Sequence, residues 1–127
     1  MSQVLLVCIG DGDDIGNVID FYLLSGDLDN ASKFCFQVKA SIEKIAKNVQ
    51  AEMAASLVYA AGDDICFIVS TNNFISEKLQ SYSNIFFEET GKTISFGVAR
   101  TSAEAAMCLR RAKVSGKGCI VISGAKI

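Results

Sequence analysis

Two groups of aspartates stand out as residues that could do chemistry. Asp11, Asp13 and Asp14 lie in the loop Gly10-Asp11-Gly12-Asp13-Asp14-Ile15-Gly16, directly after an almost wholly apolar run over residues 4–9. Asp63 and Asp64 follow Gly62 between two further β-rich runs, 57–61 and 65–69, which reads as a hairpin whose tip presents two adjacent carboxylates. Gly and Asp are also what any tight turn prefers, so the hairpin alone is equally consistent with a plain turn. A second acidic loop at the end of another strand candidate changes the balance, because neighbouring strands could bring both into one cluster. Two unit charges ~4 Å apart repel by ~4 kcal/mol at an effective dielectric of ~20, so such a cluster needs a cation or must separate into solvent. Hard carboxylate oxygens favour magnesium or manganese.

The chain contains no histidine. That excludes Ser-His-Asp and Cys-His nucleophilic sites, His-ligated zinc and an imidazole base, leaving carboxylates, lysines, arginines, hydroxyls and metal-bound water. Five cysteines are scattered through apolar segments without a closely spaced pair, as expected of reduced core thiols in a cytoplasmic protein. A net charge of -2 provides no electrostatic footprint for duplex nucleic acid, so any phosphate binding must be local. No apolar stretch approaches the ~20 residues that a membrane helix needs, and no basic region precedes the first apolar run.

The elements that must position these groups follow from periodicity. Residues 3–10 read as a central strand covered on both faces. A helix carrying Val18, Ile19, Phe21, Tyr22 and Leu23 should end at Ser25-Gly26. A second runs over 28–49, with Phe34, Val38, Ile42, Ile45 and Val49 at helical intervals and Lys33, Lys39, Lys44 and Lys47 on a solvated face. After the hairpin, Ile75, Leu79, Tyr82 and Phe86 mark a packing helix that stops at Gly91. Residues 93–99 form a strand, Thr101-Ser102-Ala103-Glu104 has the form of a capping box, and the helix it opens should end near Gly116. Ile120-Val121-Ile122 is the last strand. The expectation is one α+β domain over residues 1–127, in the order βααββαβαβ.

Two familiar site types fail on spacing. A strand, glycine-rich loop and helix suggest a dinucleotide fingerprint, but the glycines fall wrongly and three aspartates would repel a pyrophosphate without an intervening cation. An EF-hand would need side-chain ligands where Ile15 and Tyr22 stand. The densest basic cluster is Arg110, Arg111, Lys113 and Lys117. Arg110, Lys113 and Lys117 would share one face if the last helix persists, where they could complement the helix dipole or neutralise a triphosphate held against the acidic hairpin.

Taken together, these segments resemble a known superfamily. Tyr59-Ala60-Ala61-Gly62-Asp63-Asp64-Ile65 resembles the signature hairpin of the GGDEF cyclases and of the palm polymerase subunit of type III CRISPR complexes. Residues 94–99, followed by Ala112-Lys113-Val114-Ser115-Gly116-Lys117-Gly118, are similar to the closing strand and Ala-Lys-x-x-Gly-Lys segment of the same group, and Asp11-Gly12-Asp13 resembles the first metal loop of its CRISPR branch. The short length is that of the minimal CRISPR polymerase (mCpol) family.

The resemblance implies a ferredoxin-like palm that joins nucleoside triphosphates into a cyclic dinucleotide or short cyclic oligonucleotide, releasing pyrophosphate, in anti-phage signalling through a separate effector. It implies Asp11 and Asp63 as main ligands of two Mg²⁺ or Mn²⁺ ions, with the Gly12 carbonyl and Asp64 assisting. Lys113 and Lys117 would meet the β- and γ-phosphates, with Arg110 beside them and the backbone from Gly12 through Asp13, Asp14 and Ile15 to Gly16 holding phosphate oxygens. Asp13 and Asp14 are second-tier acids or simply loop. Ala61 replaces the first signature glycine, and Ile19 stands where the guanine-reading cyclases place an Asn, although Asn17 is near and Gly26-Asp27 resembles their later pair. The branch therefore favours ATP over GTP. Joining two nucleotides calls for a two-fold dimer or higher oligomer in which each copy presents its hydroxyl to the other. The rival readings are a silent palm that senses a nucleotide or contacts a partner, and a diguanylate cyclase.

Overall fold

The site's framework is a single five-stranded sheet in a computed structural model that describes residues 4–123. The elements are β1 (Leu5–Gly12), α1 (Ile15–Leu24), α2 (Leu28–Met53), β2 (Ser56–Ala61), β3 (Asp64–Ser70), α3 (Ser76–Thr90), β4 (Ile94–Ala99), α4 (Ser102–Val114) and β5 (Ile120–Ile122). Their order along the chain is the expected one, and the architecture is the α+β palm. Across the sheet the order is β2-β3-β1-β4-β5. The first four strands pair antiparallel in the split arrangement of a ferredoxin-like fold, and β5 adds beside β4 in parallel.

Two unequal cores hold the sheet. On one face Leu6 and Cys8 of β1, Ile65, Phe67 and Val69 of β3 and Phe96 and Val98 of β4 pack against Phe34, Val38, Ile42, Ile45 and Val49 of α2 and Leu79, Tyr82 and Phe86 of α3. The expected helical stripes are thus the buried faces. α2 runs a turn further than the periodicity suggested, because Met53 is also buried before Ala54 takes a left-handed conformation. On the other face α4 lays Ala105 and Cys108 over Ala99, with Val7, Ile9 and Val121 packed around them. β1 is not covered equally on both faces, as its composition suggested. Its burial alternates, with one set fully buried and the other partly exposed, since α4 is a single short helix.

Gly97 makes this second layer possible. A Cβ there would lie 2.3 Å from the carbonyl oxygen of Ala105 and the nitrogen of Leu109, so α4 touches the sheet backbone directly. Thr101 caps α4 by accepting from the Glu104 N–H at 3.2 Å, and the Thr101 hydroxyl also meets the Glu104 carboxylate. No helix among the described residues is long and apolar enough to cross a membrane.

The antiparallel pairing brings the end of β1, the start of β3 and the start of β4 to one end of the sheet. α4 runs back along β4, so its C-terminal end returns there too. Gly97→Ala should lower stability by about 1–3 kcal/mol or more through overpacking, read as a fall in the urea midpoint with an unchanged slope.

Candidate active site

Register decides which acids meet. Asp11 is paired directly with Asp64 across β1 and β3, so both side chains leave the same face of the sheet. The hairpin turn itself is Gly62-Asp63, with Gly62 at a φ of 58° and Ala61 paired with Asp64. Asp64 is therefore the first residue of β3 and does not share the tip with Asp63. Even so, Asp11, Asp63 and Asp64 each offer a carboxylate oxygen, and all of these lie within 4.8 Å of one another. The Gly12 N–H donates to the Asp63 carbonyl at 3.0 Å and clasps loop to hairpin. Gly12 has no room for a side chain, because a Cβ would lie 2.7 Å from Ile15 and 3.2 Å from the Asp63 Cβ.

Burial, contact with Asp11 and the charges of Asp11 and Asp63 push the Asp64 carboxyl up to about 7. Burial and the Asp11 charge raise Asp63 as well. Such a set of crowded oxygens suits a hard divalent cation, which would favour their ionised forms.

Asp13 has a different environment. It is 2% exposed and accepts from the Thr93 hydroxyl at 2.6 Å, the Ser95 hydroxyl at 3.0 Å, the Gly118 N–H at 2.8 Å and the Lys113 ammonium at 2.6 Å. Burial alone would raise its pKa, but the hydrogen bonds from Lys113, Thr93 and Gly118 outweigh it and hold the carboxyl below its ordinary value. Lys113 also lies 3.0 Å from the Asp11 carboxylate and donates to the carbonyls of Asp11 and Gly12 at 2.9 and 3.0 Å. Against burial, which would lower it, these acids keep the ammonium above its usual pKa. Thr93, Ser95 and Gly118 were not singled out as site residues. The one available signal was Ser95, a polar residue inside the apolar run of β4.

Asp14 and Lys117 form the outer rim. α4 ends at Val114, so Lys117 sits in the following loop at a φ of 63° and not on the helix face shared with Lys113. It still reaches Asp14 at 2.5 Å, which lowers the Asp14 pKa. Asp14 precedes α1 in a left-handed conformation with no side-chain cap on that helix, leaving the first N–H groups of α1 without a local acceptor. Asp11 to Asn17, Asp63, Lys113 and Lys117 line one open cleft of about 370 Å³. The Ile15 side chain turns into the core. Arg110 does not join this set. It is exposed and lines a separate groove with Met107, Arg111 and Val114, about one helical turn before Lys113 and farther from the acids.

Residues 7–123 match the family described as mCpol, minimal CRISPR polymerase domain. Among solved structures, the Csm1-Csm4 cassette in complex with cA4 superposes with a TM-score of 0.68 at 21% identity, covering 94% of this chain and 21% of that one. The GGDEF domain of DgcB from Caulobacter crescentus in complex with c-di-GMP gives 0.61 at 14% identity, covering 93% and 77%. Diguanylate cyclase SiaD from Pseudomonas aeruginosa, in complex with its activator SiaC, gives 0.60 at 14%, covering 95% and 50%. The chain thus spans about a fifth of the Csm1-Csm4 chain and half of the SiaD chain. At these identities the likeness is one of fold. No curated protein matches.

The raised Asp64 carboxyl has a stability consequence. Its neutral form is favoured in the folded chain, so the stabilisation is complete below the ordinary value of 3.8 and is lost as pH rises through about 7. In chelator, Tm should fall by about 4 °C or more between pH 5 and pH 8. Asp64→Asn should flatten that slope, and a scan showing the same slope in the variant would contradict this account of Asp64.

Proposed function

The chain belongs to the minimal CRISPR polymerase family, and from that premise we propose that it is a metal-dependent nucleotidyltransferase joining nucleoside triphosphates, ATP in preference, into a cyclic dinucleotide or short cyclic oligonucleotide. Relatedness to CRISPR palm polymerases and GGDEF cyclases supports nucleotide polymerase or cyclase chemistry in general. The observation that carries the reading is the convergence of Asp11, Asp63 and Asp64 within 4.8 Å, flanked by Lys113.

In this reading Asp11 and Asp63 would hold two Mg²⁺ or Mn²⁺ ions, with the Gly12 carbonyl and Asp64 as further oxygen donors. When bound, the ions lower the pKa of a ribose hydroxyl and offset charge on the reacting phosphate. The chain's own residues do the rest. Lys113 and Lys117 lie on the side of the acids where the β- and γ-phosphates would extend, and the uncapped start of α1 directs N–H groups and positive dipole toward the same place. The hydroxyl oxygen bonds to the α-phosphorus as the bond to the bridging α–β oxygen breaks. Pyrophosphate departs toward the lysines and the hydroxyl proton passes to water. Asp13 holds Lys113 in place, whereas the Asp14 carboxylate pairs with the exposed Lys117, which can leave it to meet a phosphate.

A cleft of about 370 Å³ would take one triphosphate, so a two-fold pair of copies, each presenting a hydroxyl to the other's α-phosphate, is the proposed active form. The product would serve a separate effector in anti-phage signalling, within the cytoplasm. Titrating each NTP with Mg²⁺ should release pyrophosphate and give a phosphatase-resistant product of defined mass. Asp63→Ala should reduce it by at least about 10²-fold while leaving Tm unchanged or raised, since a strained carboxylate is removed. Wild-type synthesis by that variant would remove Asp63 from the mechanism.

A further inference from the structure

The direction of the leaving group constrains where the attacking nucleotide comes from. In-line displacement places the entering oxygen opposite the departing one. The sheet order turns this into a line of residues. α4 carries Lys113 over β4 and β1, Asp11 is on β1, Asp64 is its partner on β3, and β2 lies beyond. With pyrophosphate on the lysine side, the hydroxyl must arrive from the β3–β2 side. Adjacent strands are about 4.8 Å apart, so β2 lies about 10 Å from β1 along that line.

The residue waiting there is Tyr59. It pairs with Cys66, and Ala61 pairs with Asp64, so Tyr59 shares the face of the acids two positions from their row. It is 44% exposed on a strand that is exposed along its whole length and carries no charged residue. Partial burial together with the charges of Cys66, Asp64 and Asp11 raises its phenol pKa.

We infer that Tyr59 is the contact residue for the hydroxyl-bearing nucleotide, its ring supporting the nucleoside that attacks the α-phosphate held at Asp11, Asp63 and Asp64. The inference rests on the nucleotidyl-transfer reading and assigns a subsite that the acids and lysines do not provide. In the two-fold pair each nucleotide is held by its phosphates in its own cleft, and Tyr59 of the facing copy meets the nucleoside that presents the hydroxyl, through stacking.

Donor and acceptor roles can be separated with 2′,3′-dideoxy-ATP, which has no attacking hydroxyl, and AMP, which has no triphosphate. With Mg²⁺ present, Tyr59→Ala should raise the AMP concentration for half-maximal pyrophosphate release about tenfold. The value for dideoxy-ATP should move by less than about twofold, and Tyr59→Phe should restore the wild-type AMP value. An unchanged AMP value, or equal weakening of both nucleotides, would overturn the assignment. A readout independent of turnover is available because the chain has no tryptophan. Tyr59→Trp creates a single tryptophan whose emission AMP should quench when dideoxy-ATP and Mg²⁺ are bound, and emission that stays constant overturns the inference. Pyrophosphate release without quenching defeats only the role of Tyr59, whereas quenching without release under any nucleotide defeats the transferase reading instead.

Discussion

The rest of the site depends on the pairing of the Asp13 carboxylate with the Lys113 ammonium. Asp13 is almost fully buried, and removing one partner of such a pair typically costs about 3–5 kcal/mol because a charge is stranded. Hydrogen bonds from Thr93, Ser95 and the Gly118 N–H leave Asp13 no unsatisfied oxygen, so the pair is a framework element as well as an electrostatic one. It ties the loop after β1 to the start of β4, the end of α4 and the turn before β5. With those four segments joined, Lys113 can stand 3.0 Å from Asp11 while the acids beside it remain crowded.

That crowding is a local conflict that the fold sustains. Asp63 and Asp64 sit where burial and neighbouring charge oppose their ionisation, and Asp14 adopts a left-handed backbone that a residue with a Cβ seldom takes. Proteins keep such arrangements where binding later relieves them. The two cores supply the surplus. Phe67, Phe86, Phe96 and Tyr82 are fully buried beneath the sheet, and the hydroxyl of Tyr82 is satisfied by Glu52 at 2.8 Å. The open side of the site is the other face, where α4 covers β4, β1 and β5, and β2 stays exposed.

How much of this could be read from the residues differs by element. The stripe Phe34, Val38, Ile42, Ile45, Val49 identified the buried face of α2, since helix periodicity is a local property. The capping box at Thr101 and the stop at Gly91 were legible for the same reason. The mCpol resemblance held across residues 7–123. Other features needed the assembled molecule. An apolar β1 suggested equal cover on both faces, but cover depends on the length of α4. Arg110, Lys113 and Lys117 looked like one cationic face, yet α4 stops at Val114, Lys117 reaches Asp14 from a loop, and Arg110 lines another groove.

Strand periods, helix stripes, caps and the two acidic loops were determined by local order alone, because each depends on neighbours a few positions apart. Which acids face one another was decided by the pairing of Asp11 with Asp64, two residues 53 positions apart in the chain, a register that only the packed sheet selects. The same holds for the burial of Asp13 among Thr93, Ser95, Lys113 and Gly118. A carboxylate's partners, its desolvation and hence its charge state are set by what folds over it, and no spacing along the chain contains that information.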